Sequence, residues 1–509
     1  MIEKIKIEKR RGSFWIYNWK NPKYKNKSIC TSYPLYKTIC NTFNPRFRSY
    51  QSTLDLYDKK KSILKLPYGY GLENILKYLD NSYNEISYEI IDKSDEYINP
   101  FNMNINLRKK YKPRDEIQEK AIEFLISCKD NKDRHQLFLT LLTGGGKTFC
   151  AITASIHLKL PTIIISYNLS DQWKEKILEY TTANENDIFE IRGTESVTEL
   201  LGNTKKYAFY IASISTLRNI LNYYSNLNLL FEKCGIGLAI FDEAHMHYKA
   251  IMNILVNSDI KYTFFLSATP NRSNYTDNKV FENLFQNIPF HGKYTENMNN
   301  HTKIRFVKYN TYPSYRERSQ CSTSRGFSSI NYFKYIYASE EKTLLIIGMI
   351  KYFADQILSL HPDKKILVFI PTLDLMHEIY NFLKRYKLSY SVGEYNSNIV
   401  NQEKREKELE KNLILTTIAA CSTGKDIPNL KAIFSLTPFS SQVITRQLLG
   451  RLRKLDGSDT FFYDFTDEGF APCINQCNMR TNILKQISNT MNTKRIDPSE
   501  MILYLNKQD

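Results

Sequence analysis

One short stretch limits the folds open to this chain more than any other. The sequence LLTGGGKT, residues 141–148, follows the apolar run 137–139 and precedes the helix-favouring segment 149–160. Three consecutive glycines allow a tight turn, and the N–H groups of such a turn, together with the N-terminus of the next helix, can surround a polyphosphate. The stretch therefore predicts a strand, a phosphate-binding loop and a helix in succession, although glycines alone are also typical of a flexible turn.

The residues of this loop have distinct expected roles. The Lys147 ammonium would contact the β- and γ-phosphates of ATP, and the Thr148 hydroxyl would hold Mg²⁺. Leu141 stands where the usual pattern has its first glycine. The nucleotide-binding positions predicted here are Thr143, Gly144, Gly145, Gly146, Lys147 and Thr148.

Gln118 lies upstream of the loop on a predicted helix, 115–126. Its amide can donate to and accept from an adenine edge at the same time. An equally ordinary interpretation is that Gln118 is a solvent-exposed residue of the helix with no ligand. We include Gln118 among the predicted nucleotide contacts and leave both readings open.

A second apolar run, 237–241, ends in Asp242, Glu243, Ala244 and His245. Ligands bind at the carboxyl ends of strands in parallel sheets. There Asp242 would hold Mg²⁺, while Glu243 would orient the attacking water and take its proton. An acidic pair by itself usually marks a solvated turn. This pair, however, follows a predicted phosphate loop and precedes another strand, 263–266, that ends in SATP, and this order favours the catalytic reading.

Positive charge is concentrated near the N-terminus. The chain has 509 residues and a net charge of +17, and residues 1–65 contain 16 Lys and Arg against 4 Asp and Glu. Aromatic residues are interleaved with these cations, a mixture that contacts phosphates and stacks on bases. The other reading is a small β-rich domain with an aromatic core and solvated lysines. Residues 1–104 are therefore predicted to form a basic, nucleic-acid-binding domain.

The sequence argues against three other classes of protein: zinc-binding, disulfide-stabilised and membrane-spanning proteins. The nine cysteines are scattered without zinc-ligand spacing, which favours reduced thiols. The longest apolar run, 344–350, is too short to span a bilayer, so an intracellular, soluble protein with no membrane partner is expected. From Tyr111 onward strand and helix patterns alternate, which predicts an α/β fold with parallel sheets.

Taken in order, the motifs TGGGKT, DEAH, SATP, TGKDIP and QLLGRLRK resemble those of superfamily 2 helicases. The segments LSDQW and SATPNR are most similar to the XPB-type branch, which includes phage and poxvirus-type helicases. The chain most resembles the transcription-associated helicases of large cytoplasmic DNA viruses in its size, its basic N-terminal region and its Asn/Lys/Tyr/Ile-rich composition. The resemblance covers residues 111–470.

The resemblance implies two RecA-like parallel-sheet lobes in tandem, with ATP and Mg²⁺ in the cleft between them. The first lobe would span 111–292 and the second 304–470, followed by a helical tail, 471–509. Segment 312–342 has no clear periodicity, which favours a mobile loop over an insertion that contacts nucleic acid.

The resemblance also implies further site residues. In the second lobe Gly424 and Asp426 belong to the nucleotide site, Gln447 contacts nucleotide or the first lobe, and Arg451 contacts the γ-phosphate. Lys454 stands where the family usually has a second arginine, so Arg453 competes with it for that role. Coupling of hydrolysis to strand contacts is expected from Ser267, Thr269 and His245, and the strand contacts themselves from Ser166, Thr216, Thr372 and Thr417.

The expected function is that of an ATP-dependent helicase or translocase that acts on DNA or RNA in viral transcription. The expected location is the host cytoplasm, and the protein could also be packaged in the virion. An RNA polymerase or transcription complex is the expected protein partner. Two alternatives remain: a duplex translocase that remodels a protein–DNA complex without separating strands, and a non-enzymatic ATP-gated scaffold. The intact Lys147 and Glu243 argue against the scaffold.

Overall fold

The computed structural model describes most of the chain in two compact units, residues 1–294 and 295–509. The described residues are 5–17, 57–58, 63–82, 87–141, 144–167, 171–224, 227–268, 275–292, 301–324, 326–396, 398–399, 402–421, 427–453, 455, 458–488 and 490–506. Among these residues, no helix combines the length and the apolar character needed to cross a bilayer.

The first unit begins with a small five-stranded sheet in the order β3-β4-β2-β1-β5. Its pairs are antiparallel except for β1 and β5, which run parallel. The elements are β1 (Ile5–Lys9), β2 (Ser13–Tyr17), β3 (Tyr57–Asp58), β4 (Ile63–Pro67), α1 (Leu72–Ser82) and β5 (Tyr88–Asp92). Alternate apolar side chains such as Ile7, Phe14 and Ile16 are buried. They form one continuous core with side chains of the larger sheet of the first unit, such as Phe138 and Phe241.

A second sheet of the first unit has seven strands in the order β12-β6-β11-β10-β7-β9-β8, and every recorded pair is parallel. Its strands are β6 (Gln136–Thr140), β7 (Thr162–Ser166), β8 (Ile188–Ile191), β9 (Phe209–Ser213), β10 (Leu238–Phe241), β11 (Tyr262–Ser267) and β12 (Phe290–His291). The helices are α2 (Glu116–Ile126), α3 (Lys147–Leu158), α4 (Asp171–Tyr180), α5 (Thr194–Gly202), α6 (Ile214–Tyr223), α7 (Asn228–Cys234), α8 (Tyr248–Leu255) and α9 (Tyr275–Phe285). The central strands are buried along their whole length because helices cover both faces.

The small sheet packs against the amino ends of the strands in the larger one. His135, just before β6, has its Nε2 2.7 Å from the carbonyl of Arg11. The indole of Trp15 donates to the carbonyl of Val256 at 3.3 Å, and Lys65 donates to Asn257 Oδ1 at 2.7 Å. These contacts join residues of the predicted N-terminal domain to the predicted first lobe within one compact unit.

The second unit holds another seven-stranded sheet, in the order β17-β18-β16-β19-β20-β13-β21, again parallel in every recorded pair. The strands are β13 (Thr302–Tyr309), β16 (Lys365–Phe369), β17 (Val392–Tyr395), β18 (Leu413–Thr416), β19 (Leu430–Ser435), β20 (Thr460–Asp467) and β21 (Met491–Arg495). The helices from residue 340 onward are α12 (Glu340–Leu358), α13 (Leu373–Leu383), α14 (Gln402–Leu409), α15 (Ile418–Cys421), α16 (Gln442–Leu449), α17 (Ala471–Ile487) and α18 (Pro498–Asn506). The predicted fold class, two parallel-sheet α/β lobes in tandem, is confirmed.

Two local expectations differ from the structure. The tail is not only helical, because β21 pairs with β13 as the edge strand of the sheet. The described part of segment 312–342 is structured rather than a loop: it forms α10 (Tyr315–Gln320), the hairpin β14 (Ser322–Thr323) and β15 (Gly326–Phe327), and α11 (Ser329–Tyr337). Burial of Tyr332 and Phe333, together with N-caps at Ser314 and Ser328, accounts for this order.

Candidate functional site

The glycine-rich loop connects β6 to α3 at the carboxyl edge of the first unit's parallel sheet. Gly144 and Gly146 have φ angles of +80° and +89°, the left-handed region that favours glycine. Gly146 is also the N-cap of α3, so the free N–H groups of that helix point into the loop. A Cβ on Gly146 would lie 2.2 Å from the amide nitrogen of Gln118, so any other residue here would both displace the Gln118 amide and strain the backbone.

Gln118 lies directly beneath this loop, with only 4% of its surface exposed. Its Oε1 accepts from the backbone N–H of Arg114 at 2.9 Å, and its Nε2 donates to the carbonyl of Gly145 at 3.1 Å. The amide thus joins the start of α2 to the phosphate loop. The exposed-helix reading is therefore wrong, and the adenine contact stays a prediction.

Lys147 begins α3 and is 9% exposed. Its Nζ donates to the carbonyl of Leu141 at 3.3 Å and lies 3.9 Å from Glu243 Oε1. The ammonium group therefore stands between the phosphate loop and the acidic pair. A triphosphate seated on the loop would meet this charge first.

The acidic pair follows β10, the neighbour of β7 and β11 in the sheet. Asp242 accepts from the indole Nε1–H of Trp173 at 2.9 Å and from the backbone N–H of Glu243 at 3.0 Å. Burial of its carboxyl, and then the nearby charge of Glu243, raise the pKa of Asp242 above its ordinary value, whereas Lys147 opposes that shift. A cation at this position would favour the ionised carboxylate.

Glu243 has a φ of +47°, which is uncommon for a residue with a side chain. Its Oε2 is 3.3 Å from Nδ1 of His245, and that nitrogen is 2.8 Å from the hydroxyl of Ser267. His245 and Ser267 are both buried, at 1% and 0% exposure. A continuous set of polar contacts therefore runs from Lys147 through Glu243 and His245 to Ser267, at the end of β11.

The site also fits a magnesium ion. Thr148 and Asp242 offer a hydroxyl and a carboxylate, the hard oxygen ligands that Mg²⁺ takes in combination with substrate phosphates and water. The described residues contain no group of three or more His, Cys, Asp or Glu side chains arranged to hold a metal. A cation here would consequently depend on the nucleotide for part of its shell.

The predicted strand contacts lie at strand ends. In the first unit Ser166 ends β7, and Thr216 lies in the first turn of α6, where its N–H donates to Ser213 Oγ at 3.0 Å. In the second unit Thr372 caps α13, and Thr417 accepts from the N–H of Ala420 at 3.1 Å. Because β16 and β18 are parallel neighbours, Thr372 and Thr417 follow strands that end at one edge of the sheet.

The last predicted motif lies on and after α16. Gln447 is half-buried on this helix, and Arg451 is 9% exposed in the turn that follows. Arg453 is exposed, outside the helix. Five predicted site residues lie outside the described residues: Thr143, Thr269, Gly424, Asp426 and Lys454.

Sequence reasoning missed one residue of the site. Trp173, on α4, appeared in the sequence only as the last residue of the segment LSDQW, yet it is the hydrogen-bond donor to Asp242. The available signal was its position in the first turn of the helix after β7, the strand next to β10.

Comparison with known proteins finds relatives of the region that carries this candidate site. The family model for the ResIII domain, "Type III restriction enzyme, res subunit", matches residues 110–272. The "Transcript termination protein A18" of Yaba monkey tumor virus (strain VR587) is 23% identical over 363 residues, which cover 67% of this chain and 70% of that protein. The 161L protein of Invertebrate iridescent virus 6, whose assigned name is that of a helicase, is 26% identical over 229 residues.

The match to 161L covers 43% of this chain and 48% of that protein, so the chain spans about half the length of this relative. Among solved structures, S. cerevisiae Dbp5 bound to RNA and ADP BeF3 aligns with a TM-score of 0.52 and 14% identity, over 78% of this chain and 94% of that one. At that identity the likeness concerns the fold alone. Its motifs, its fold and these relatives fit the superfamily 2 helicases, a group of nucleic-acid-dependent ATPases, and the chain is similar to the poxvirus-type members of their XPB-like branch.

Proposed function

We propose that the protein uses ATP hydrolysis to move along nucleic acid or to separate its strands, acting on DNA during viral transcription in the host cytoplasm. The observation that carries this proposal is the 3.9 Å approach of the Lys147 ammonium to the Glu243 carboxylate, beside a loop in which Gly144 and Gly146 have left-handed φ angles and Gly146 caps the next helix. A relative with transcript termination in its name supports the transcriptional setting.

In this proposal each residue has one task. Backbone N–H groups from Gly144 to Thr148 bind the phosphates, and Lys147 balances their charge. Thr148 and Asp242 hold Mg²⁺, which supplies charge neutralisation at the phosphates. Glu243 orients water and takes its proton. Its strained, left-handed backbone holds the carboxylate beside the loop.

Coupling between hydrolysis and strand contacts would pass through His245 and Ser267. Both side chains are buried, and the 2.8 Å contact between them joins the Glu243 turn to the end of β11. Thr269 follows Ser267 closely in the chain and would extend this link toward the strand contacts. RNA polymerase or another component of a transcription complex is the proposed protein partner.

Substitution of Lys147 and Glu243 tests the proposal. Lys147→Ala should abolish turnover because it removes the charge that faces the β- and γ-phosphates. Glu243→Gln should bind ATP but not hydrolyse it, because an amide cannot take the proton from water. Glu199→Gln, an exposed change on α5 of the same unit, is the matched control and should leave turnover unchanged.

ATP binding and steady-state turnover are measured with duplex DNA, single-stranded DNA, RNA and no nucleic acid. Stimulation by at least one of these polymers is expected, and the preferred polymer identifies the nucleic acid on which the motor acts. Hydrolysis at the wild-type rate by Glu243→Gln would overturn the assignment of the base. Binding of ATP without turnover by the wild-type protein would instead favour the scaffold.

A further inference from the structure

Two aromatic rings stack face to face beside the acidic pair. Tyr167 directly follows β7, and His247 lies just beyond the DEAH segment, as the N-cap of α8. Their ring centroids are 4.3 Å apart and the ring planes differ by only 4°. Neither residue belongs to the motifs that define the family resemblance.

The sheet brings the two segments together. β7 and β10 are parallel neighbours with Ile165 opposite Phe241, and the N–H of Asp242 donates to the carbonyl of Ile165 at 2.9 Å. The chain therefore leaves both strands at the same edge and in the same direction. Ser166, a predicted strand contact, is the residue immediately before Tyr167.

Tyr167 is 54% exposed although one of its faces is covered by the imidazole. Most of the exposed surface must consequently belong to the opposite face and the rim of the phenol ring. A tyrosine held flat against a second ring, with its outer face toward solvent, presents the surface on which nucleic-acid bases stack.

His247 is joined to the catalytic turn by a short path. The N–H of Met246 donates to the carbonyl of Glu243 at 2.9 Å, and the N–H groups of Ala250 and Ile251 both donate to the carbonyl of His247. His247 thus lies between a tight turn and the first turn of α8. A shift at His247 can therefore reach the turn that carries Glu243 through its chain neighbour Met246 and this backbone hydrogen bond.

We propose that Tyr167 contacts an unpaired base of the bound strand and that its stack on His247 transmits this occupancy to Glu243. The ligand class is a single-stranded nucleic acid, recognised through the π face of a base rather than through its sequence. This inference rests on the proposed function and assigns a residue pair to the link between strand binding and hydrolysis. Tyr167 is the contact residue and His247 the positioning residue.

The experiment compares ring-retaining with ring-removing variants in the full-length protein. Tyr167→Phe and His247→Phe preserve the stack, whereas Tyr167→Leu and His247→Leu remove it at similar volume. Tyr223→Leu is the matched control, because Tyr223 is also exposed, at 76%, and lies at the end of α6 in the same unit.

Two quantities are measured for each variant with a single-stranded homopolymer: the ratio of ATP turnover with and without the polymer, and the ratio of polymer affinity with and without a non-hydrolysable ATP analogue. Linkage gives two coupled sites one common factor for their affinities, and it does not fix the effect on turnover. Both Leu variants should reduce the affinity ratio by about fivefold or more, the lower range of ordinary coupling, and should lower the turnover ratio in the same direction. Both Phe variants and Tyr223→Leu should keep them.

A purely structural role would lower thermal stability without reducing the coupling ratios, so melting temperatures are recorded alongside. Wild-type ratios in Tyr167→Leu, or equal losses in Tyr167→Phe and Tyr167→Leu, would overturn the inference while leaving the proposed function intact. An absence of stimulated turnover in the wild-type protein would overturn the proposed function itself, and the inference with it.

Discussion

The indole Nε1–H of Trp173 donates to Asp242 Oδ2 at 2.9 Å, across 69 residues of sequence. Trp173 is 2% exposed, so its ring is fixed by packing and its N–H has one direction. The other carboxylate oxygen, Oδ1, accepts from the N–H of Glu243. Trp173 therefore orients the carboxylate that we assign to Mg²⁺, in the way that outer-shell donors orient metal ligands.

Replacement of Trp173 by Phe should weaken the magnesium site while keeping most of the packing. We expect the Mg²⁺ concentration for half-maximal ATP turnover to rise about tenfold or more, the usual effect of losing an outer-shell partner. Trp15→Phe is the matched control, because its indole also donates, to Ser13 Oγ and the carbonyl of Val256, but in the small N-terminal sheet. An unchanged magnesium dependence in Trp173→Phe would show that this hydrogen bond does not orient the ligand.

The sequence was sufficient for the central strands and for the glycine-rich turn between β6 and α3, but not for Trp173 or β21. Strands buried on both faces are continuous apolar runs, so β7 and β10 could be read directly. The bond from Trp173 joins segments that only the folded sheet brings together, and an aromatic residue on a helix is usually read as core. β21 has the polar sequence MNTKR and joins the sheet through backbone hydrogen bonds at an exposed edge, which leaves no hydrophobic pattern.

Basic residues of the N-terminal region should contribute affinity that depends on salt. Deletion of residues 1–65 would remove β1, β2, β3 and part of β4, including the buried side chains of β1 and β2, so substitution is the cleaner test. Changing Lys23, Lys25 and Lys27 together to Gln should reduce the slope of log affinity against log salt by about 2, since each lost phosphate contact removes roughly 0.7 to 0.9. The matched control changes three exposed lysines of the first unit, Lys109, Lys110 and Lys112. Equal slopes for the first variant and the wild type would mean that these lysines are only solvated.

His135 should make the first unit sensitive to acid. Burial, and then the charge of Arg11, lower the pKa of this histidine from 6.5 to about 4 in the folded protein. The unfolded chain therefore binds a proton between pH 6.5 and 4 that the folded chain does not, so stability is lost as the pH falls through this window. Between pH 7 and pH 5 the free energy of unfolding should decrease by about 2 kcal/mol from this residue alone.

The measurement is urea unfolding at both pH values, followed by tryptophan fluorescence, because all three tryptophans lie within residues 1–294. His135→Gln should be less stable at pH 7 but should lose about 2 kcal/mol less on acidification. His157→Gln, at an exposed position on α3, serves as the control. A wild-type pH dependence in His135→Gln would contradict this assignment.

The buried ion pair between Arg480 and Asp464 should be essential to the second unit. Arg480 Nε and Nη2 donate to Asp464 Oδ2 and Oδ1 at 2.8 and 2.6 Å, and the two side chains are 1% and 0% exposed. Arg480→Ala would leave a carboxylate buried without its partner, which costs about 3–5 kcal/mol. Arg495→Ala breaks an exposed pair with Glu468 and should cost less than about 1 kcal/mol.

Unfolding of these two variants is followed by circular dichroism and by hydrogen exchange of the β20 amides. The tryptophan fluorescence transition reports the first unit and should be unaffected by either change. Similar exchange rates for the β20 amides in both variants would refute the proposed importance of the buried pair.

Arg451, rather than Arg453, should be the main γ-phosphate contact. α16 ends at Leu449, and the N–H groups of Arg451 and Leu452 donate to the carbonyls of Leu448 and Leu449, a tighter pattern than an α-helix. In a regular helix, neighbouring residues point about 100° apart, but this segment is not a regular α-helix. Helix geometry therefore does not exclude Arg453 from the γ-phosphate contact, and the choice between Arg451 and Arg453 depends on how their side chains are held. Arg451 is held in a 9% exposed position, whereas Arg453 is exposed.

A guanidinium that is fixed before the reaction stabilises the transferred phosphoryl group better than one that must be ordered first. Arg451→Ala should lower turnover at saturating nucleic acid by roughly 10³-fold, and Arg453→Ala by only a few-fold. Lys454→Arg should be tolerated, because a fork replaces a single ammonium. Steady-state rates of the three variants are compared, and the melting temperature of each variant is measured to confirm that it remains folded. Should Arg453→Ala be as damaging as Arg451→Ala in a folded protein, Arg453 is the finger and the alignment of this motif is displaced.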